Sequence, residues 1–267
     1  MDKVLSYEQY KELITTAKNK GWKLSNCFFL PAVVRQKIVD GTLSCLAINN
    51  GLIFLDNIGD FYRCYYYLSD TAPLERLSLD KKSVIEFPYN GVLNEKQIIQ
   101  INRIEELGFQ LGRESALMSA TLEQLIKRCP DSATNVVLCA DKQDVLKVFD
   151  LIKRYFNPLY AFLPTLRELE NAISQNRILV IRNGDTIIAA LLSSFEKKIA
   201  TIEQVAVHEG YRGKGLGNII VQSYHEKYAN EAVMFQHWVD LNNIPAVKMY
   251  QSFGYTFGLR KAHEYIL

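Results

Sequence analysis

Apolar and polar positions alternate in a regular order from Val136 to the C-terminus. Val136 to Cys139 is a short apolar run that predicts a strand, and Val145, Val148, Phe149 and Ile152 then recur at helical spacing up to about Phe156. A Pro- and aromatic-rich loop, NPLYAFLPT, separates this helix from a second over Leu166 to Ile173. ILVIR and TIIAALLSSF read as strands, and the Asn183-Gly184 between them is a hairpin signal because both residues tolerate positive φ. Thr201 to Val207 predicts the next strand, and a Gly-rich segment, HEGYRGKGLG, opens the helix after it. Met234 to Val239 is a further strand, Pro245 to Phe253 a helix, and Tyr255 onward a last strand.

The N-terminal half follows a similar order. A helix near Tyr7 to Lys18 precedes CLAINNGLIFLDNI, which holds a strand, the Asn50-Gly51 turn and a second strand. FYRCYYYLS and SVIEFPYN are the third and fourth strands, and Glu95 to Leu107 is helical. LGFQLGRE after this helix can be set beside FGYTFGLR near the C-terminus, pairing Gly108 with Gly254 and Gly112 with Gly258 at the same offset. These parallels predict an internal duplication. KRCPDSATN, residues 127 to 135, has a linker's composition, so we expect one domain over 1–130 and another over 131–267. The fold class is α+β with a mixed sheet.

Composition narrows the function. The 267 residues, 48% hydrophobic, can bury a substantial core, and 31 basic against 29 acidic side chains give a net charge of only +2. No global field attracts a nucleic acid or an anionic membrane, so an anion must be held locally. No run approaches the roughly 20 apolar residues of a membrane span, and the start lacks the apolar core of a signal peptide, so a cytoplasmic protein is expected. Five cysteines without a C-x-x-C pair read as free thiols in the core.

A strand-to-helix junction offers unpaired N–H groups and the positive end of the helix dipole, which together suit a phosphate. Gly213, Gly215 and Gly217 let the chain bend and let an anion approach, with Arg212 and Lys214 adding charge; a purely structural turn is the alternative. It is no Walker loop, since no Lys-Ser or Lys-Thr follows, and no dinucleotide fingerprint, since Asn218 stands where glycine is needed. His208, His225 and His263 have no metal-ligand spacing, and no catalytic metal is implied.

Further on, Asn243, Ala246, Tyr250, Gly254 and Tyr255 stand at fixed intervals. Together with Val205-Ala206-Val207 and Arg212-x-x-Gly215-x-Gly217, they make residues 135 to 267 resemble the GCN5-related N-acetyltransferase (GNAT) superfamily, with Tyr255 in place of the usual Phe. The resemblance implies the GNAT fold, in two tandem copies. It also implies an acyl coenzyme A donor, most simply acetyl-CoA, whose pyrophosphate is held by amides of Arg212, Gly213, Lys214, Gly215, Leu216 and Gly217. The strand Val205, Ala206 and Val207 would pair with the pantetheine arm, with Asn243 and Ala246 near the thiol end. Tyr250 stands where the family keeps a sulfur-protonating tyrosine, and Glu203, which period-two alternation puts on a face with Val205 and Val207, resembles a family position for the general base. Tyr160 and Phe162 are candidates for the acceptor pocket, and His237 for a substrate contact. In the first half Ile104 matches Tyr250 and DTAPLERL offers no glycine, so that copy reads as degenerate. The expected activity is direct acyl transfer to a primary amine of a small molecule, by a monomer or homodimer. A protein or peptide acceptor and a non-catalytic acyl-CoA-binding module are the rival readings.

Overall fold

A computed structural model of the chain describes residues 1–134 and 136–267, without the side chains of Asp131 and Ser132. In chain order the elements are β1 (Asp2–Lys3), α1 (Tyr7–Asn19), β2 (Leu24–Ser25), α2 (Pro31–Val39), β3 (Leu43–Ile48), β4 (Gly51–Ile58), β5 (Phe61–Leu68), β6 (Lys82–Asn90), α3 (Glu95–Glu106) and β7 (Gln110–Thr121). Then follow α4 (Asp131–Thr134), β8 (Val137–Cys139), α5 (Val145–Tyr155), α6 (Leu166–Ser174), β9 (Ile178–Asn183), β10 (Thr186–Glu196), β11 (Ile199–Val207), α7 (Leu216–Tyr228), β12 (Met234–Asp240), α8 (Ile244–Ser252) and β13 (Thr256–Ile266).

The chain forms two compact units, one of Met1–Glu114 with Arg260–Leu267 and one of Ser115–Leu259. It passes from the first to the second inside β7 and returns inside β13. The boundary expected at 127 to 135 lies within the second unit, and Asn135 lies outside the described residues. Lys127 to Cys129 is no free linker there, because the backbone N–H groups of Arg128 and Cys129 donate to Gln222 Oε1 on α7 at 2.9 and 2.6 Å. Gln222 Nε2 returns a bond to the Cys129 carbonyl at 2.8 Å.

Each unit repeats one topology. In the first, the strand order is β1-β3-β4-β5-β6 and then the C-terminal part of β13. In the second it is β8-β9-β10-β11-β12 and then the C-terminal part of β7. Both contain an Asn-Gly hairpin, β3–β4 and β9–β10, and both join the middle strands in parallel, β5 to β6 and β11 to β12. Each sheet carries an apolar cluster on either face. Tyr10, Ala17 and Val34 pack under α1 and α2, and Ile104 and Leu107 on the side of α3. Val148, Ile152 and Leu169 pack under α5 and α6, and Ile220, Tyr224, Val247 and Tyr250 under α7 and α8. Gly108 and Gly254, matched in the sequence, both take positive φ (100° and 96°) just ahead of a long strand.

Helix starts follow local chemistry. Asn94 with Gln97 and Thr165 with Glu168 form capping boxes that satisfy the first amides of α3 and α6. Cys27, Cys45 and Cys64 are buried as expected, whereas Cys129 is half-buried and Cys139 is exposed on β8 at the end of the sheet, so neither is a core residue.

Candidate active site

The site is built where two parallel strands part. β11 and β12 pair only over Ile199–Ile202 against Met234–His237. Beyond that, β12 stays on β7 and β11 on β10, so the edge of Gln204 to Val207 away from β10 has no strand partner among the described residues. The β10–β11 register also shifts here: Leu192 opposes Gln204 and Ser193 opposes Ile202, leaving Glu203 as the extra residue of a bulge.

The bulge corrects the expected placement of Glu203. Val205 and Val207 pack against the cluster under α7 and α8. Glu203 instead accepts a hydrogen bond from Ser194 Oγ. Ser193 bonds to Tyr228 of α7 at 3.1 Å and Phe195 stacks on the same ring at 5.3 Å, so Ser194 between them faces the other side of the sheet, and Glu203 with it. Simple alternation fails because one inserted residue resets it. Gln204, buried, donates from Nε2 to the Phe162 carbonyl at 2.6 Å, while its Oε1 is buried without a partner. The α5–α6 loop is thereby tied to β11. Phe162 itself is exposed and Tyr160 half-buried.

At the end of β11 the chain makes a tight turn over Glu209–Tyr211 and enters the glycine loop. Gly213 (φ 75°) and Gly215 (φ 79°) are left-handed, and a Cβ at either would meet open space. Gly215 is the N-cap of α7 and supplies no side-chain acceptor, so the first-turn amides face outward uncapped. An uncapped helix start of this kind, with the helix dipole behind it, is suited to an anion. Gly217 differs, for its conformation is helical and a Cβ there would lie 3.1 Å from Met249 Sδ on α8. Its smallness lets α7 and α8 approach, a packing role that the motif conceals.

The flanking charges are arranged by partners that the sequence reading missed. Arg212 donates from Nε to the Val207 carbonyl at 3.0 Å and lays its guanidinium 4.4 Å from the Tyr155 ring centre. Tyr155 donates its hydroxyl to Glu209, which Arg154 also pairs, and accepts from the Glu209 N–H at 2.9 Å. The Tyr155 hydroxyl, with Arg154, His208 and Arg212, holds the exposed Glu209 carboxyl below its ordinary value. Lys214 lies 4.9 Å from the Tyr211 ring centre. Only the position of Tyr155 in the last turn of α5 could have pointed to this contact.

His237 closes the apex of the strand fork. It stands opposite Ile202 in the last β11–β12 pair, and its Nδ1 lies 2.9 Å from the Ile202 carbonyl oxygen. A carbonyl can only accept, so Nδ1 carries the proton and Nε2 is bare in the neutral ring. Desolvation lowers the His237 pKa to about 4, against the smaller opposing effect of that hydrogen bond. Its ring packs 4.4 Å from that of Tyr250 on α8, which is 1% exposed. Burial pushes the Tyr250 phenol up, so it stays protonated at neutral pH. His237 therefore faces α8, and its observed contacts are internal ones.

Asn243 caps α8, its Oδ1 accepting from the Ala246 N–H at 3.3 Å. Val205, Val207 and Ala246 are half-buried, Ala206 is buried, and Leu216 is half-buried at the first turn of α7. Bonds and packing thus link Ile202, His237 and Tyr250, whereas Glu203, next in the chain, is bonded to Ser194 on the other face of the sheet; the Gly217–Met249 contact brings the glycine loop to α8. Among the described residues there is no group of three or more His, Cys, Asp or Glu that could hold a metal, and no helix is long and apolar enough to cross a membrane.

The second unit has the fold of the GNAT acetyltransferases. Residues 145–255 match the model of the Acetyltransferase (GNAT) family. The chain is 31% identical over 93 residues to the streptothricin acetyltransferase of Streptomyces lavendulae, a stretch that is 34% of this chain and 49% of that protein. It thus spans about half the length of that curated relative. Among solved structures, a GCN5-related N-acetyltransferase from Sphaerobacter thermophilus superposes with a TM-score of 0.56 at 12% identity, over 90% of this chain and 86% of the other. A GNAT-family acetyltransferase from Colwellia psychrerythraea gives 0.50 at 12% identity, over 100% and 98%. At such identities these likenesses concern the fold.

Proposed function

We propose that the second unit transfers an acyl group, acetyl from acetyl-CoA, to a primary amine of a small molecule. The observation that carries this reading is the uncapped N-terminus of α7, with left-handed Gly213 and Gly215, at the end of a strand whose far edge is unpaired. The loop amides and α7 would take the donor's pyrophosphate, and the edge of Gln204 to Val207 its amide-bearing arm, as an added strand would pair. Asn243 and Ala246 stand at the start of α8, near the thiol end.

Glu203, on the face that carries the α5–α6 loop, would take a proton from the acceptor ammonium. The amine lone pair then attacks the thioester carbon, a β11 amide stabilises the oxyanion, and collapse breaks the C–S bond as Tyr250 protonates the departing thiolate; the excess proton left on the nitrogen restores the Tyr250 phenol, and the proton taken by Glu203 is released to solvent. Tyr160 and Phe162 stand on the α5–α6 loop, which Gln204 ties to β11. A small-molecule acceptor is favoured because the curated relative's name specifies one, streptothricin. The first unit contributes fold and no transfer chemistry, since Ile104 stands on α3 where the repeat would need a proton donor.

Thermal unfolding with acetyl-CoA tests the donor half. At 100 times its dissociation constant a ligand stabilises the native state by about 2.7 kcal/mol, which shifts the midpoint in the wild type and not in an Arg212→Glu, Gly215→Glu variant. Thiol release across a panel of amines tests the acceptor half. Binding without thiol release from any amine would support a binding module, and no shift at millimolar donor would remove the reading altogether.

A further inference from the structure

The first unit contains the same fork. β5 and β6 run parallel at Phe61–Lys82, Tyr62–Ser83 and Arg63–Val84 and then separate, β6 pairing with β13 while β5 stays on β4. The edge of β5 beyond Arg63 is the counterpart of the β11 edge beyond Ile202. In the second unit that edge is unpaired, but in the first it is filled.

Asn26 sits in the fork. Its Nδ2 donates to the Cys64 carbonyl on β5 at 3.2 Å and to the Glu86 carbonyl on β6 at 3.3 Å, and its Oδ1 accepts the Tyr66 N–H at 2.9 Å. One side-chain amide thus satisfies both strands where their ladder ends. The two residues before it form β2 and continue along β5, with Leu24 opposite Leu68 and Ser25 opposite Tyr67. Phe29 then packs against Tyr65, the rings tilted by 55° with centres 4.2 Å apart. The α1–α2 connection therefore lies on β5 as an added strand, donating and accepting as a peptide ligand does in strand addition.

We infer that Leu24–Asn26 occupies in the first unit the place that the donor's arm takes along β11, so the first fork is a groove closed in cis and the chain has one donor site. This rests on the donor reading of the second unit. The surroundings agree with closure: β5 leads into a loop in which the Pro73 carbonyl is bonded by Asn49 and Asn50 at 3.2 and 2.8 Å, and the next helix begins only after β6. No helix N-terminus follows β5 to receive a diphosphate.

The test combines amide hydrogen exchange with calorimetric titration of coenzyme A into the full chain. In the wild type the Tyr66 N–H and the Asn26 side-chain amide should exchange slowly, saturation with coenzyme A should leave both unchanged, and binding should stop at one equivalent. Asn26→Ala should speed exchange at Tyr66 by about tenfold or more; if that variant does not fold, the wild-type exchange of the Asn26 side chain carries the same information. Fast exchange at both groups in the wild type, a coenzyme-dependent shift of the Asn26 amide, or a second bound equivalent would overturn the inference. No bound coenzyme at all would instead sink the donor reading, while exchange at Tyr66 would still decide whether the first fork is closed.

Discussion

Two buried tyrosines of the second unit have different surroundings. Tyr255 is bonded through its hydroxyl to His225 Nε2 at 2.9 Å, so the departure from the family's Phe is matched by a partner on α7. Tyr250 lies against His237 and Tyr255 by ring contacts, and its hydroxyl makes no hydrogen bond among the described residues. A phenol held protonated by burial and not committed to a partner is suited to give a proton to a thiolate. Tyr250→Phe should therefore fold with near wild-type stability and bind coenzyme A as before, with kcat reduced by about 10² or more. Steady-state thiol release together with donor titration decides it: weaker donor binding at unchanged kcat would make Tyr250 a packing residue. The position of Tyr250 was legible from its offset to Asn243 and Gly254. The side taken by Glu203 was not, because a bulge leaves no mark in the apolar pattern and moves one residue across the sheet.

The glycine loop divides into two kinds of position. Gly213 and Gly215 have positive φ and open space around the missing Cβ, whereas Gly217 is helical with Met249 3.1 Å from where a Cβ would be. Gly215→Ala should thus cost about 1–2 kcal/mol through backbone strain. At Gly217 the helix gains up to about 1 kcal/mol from alanine, and the flexible Met249 thioether must give way, so Gly217→Ala should stay within about 0.5 kcal/mol of wild type. Urea unfolding of the two variants checks the order, and equal losses would mean that the loop is strained throughout. Elements with strong periodicity or an Asn-Gly turn were readable in advance, among them α5, α6, β9 and β10. β2 was not, because two residues carry no period and pair only because β5 has a free edge. α2 was equally hidden, its Pro31 and mixed faces giving no clear helical stripe.

At the scale of the whole chain, duplication was visible as a repeated strand order and the Gly108 and Gly254 match, but the exchange of units inside β7 and β13 was not. A strand reads the same whichever sheet it joins, and the Pro-, Ser- and Asn-containing stretch near residue 130 looked more like a boundary than the middle of a strand. Folding as two such units also fixes where acid acts. In the second unit burial lowers the His225 pKa to about 3 and, offset in part by the hydrogen bond to the Ile202 carbonyl, that of His237 to about 4, against about 6.5 in an unfolded chain. Both histidines are neutral in either state above that value, so their contribution is fully present at pH 7. Below it the unfolded chain binds protons that the folded chain refuses, and stability falls as pH drops toward the folded values. For His225, 7% exposed, the loss between pH 7 and pH 5 is about 2 kcal/mol. Replacing the bonded pair together, His225→Leu with Tyr255→Phe, removes the titrating group without orphaning the other hydroxyl. Urea midpoints at the two pH values should then converge relative to wild type, by an amount corresponding to about 2 kcal/mol. If the double variant loses as much stability in acid as the wild type, the proton uptake lies elsewhere, and the buried Tyr255–His225 pair does not set the acid limit of the second unit.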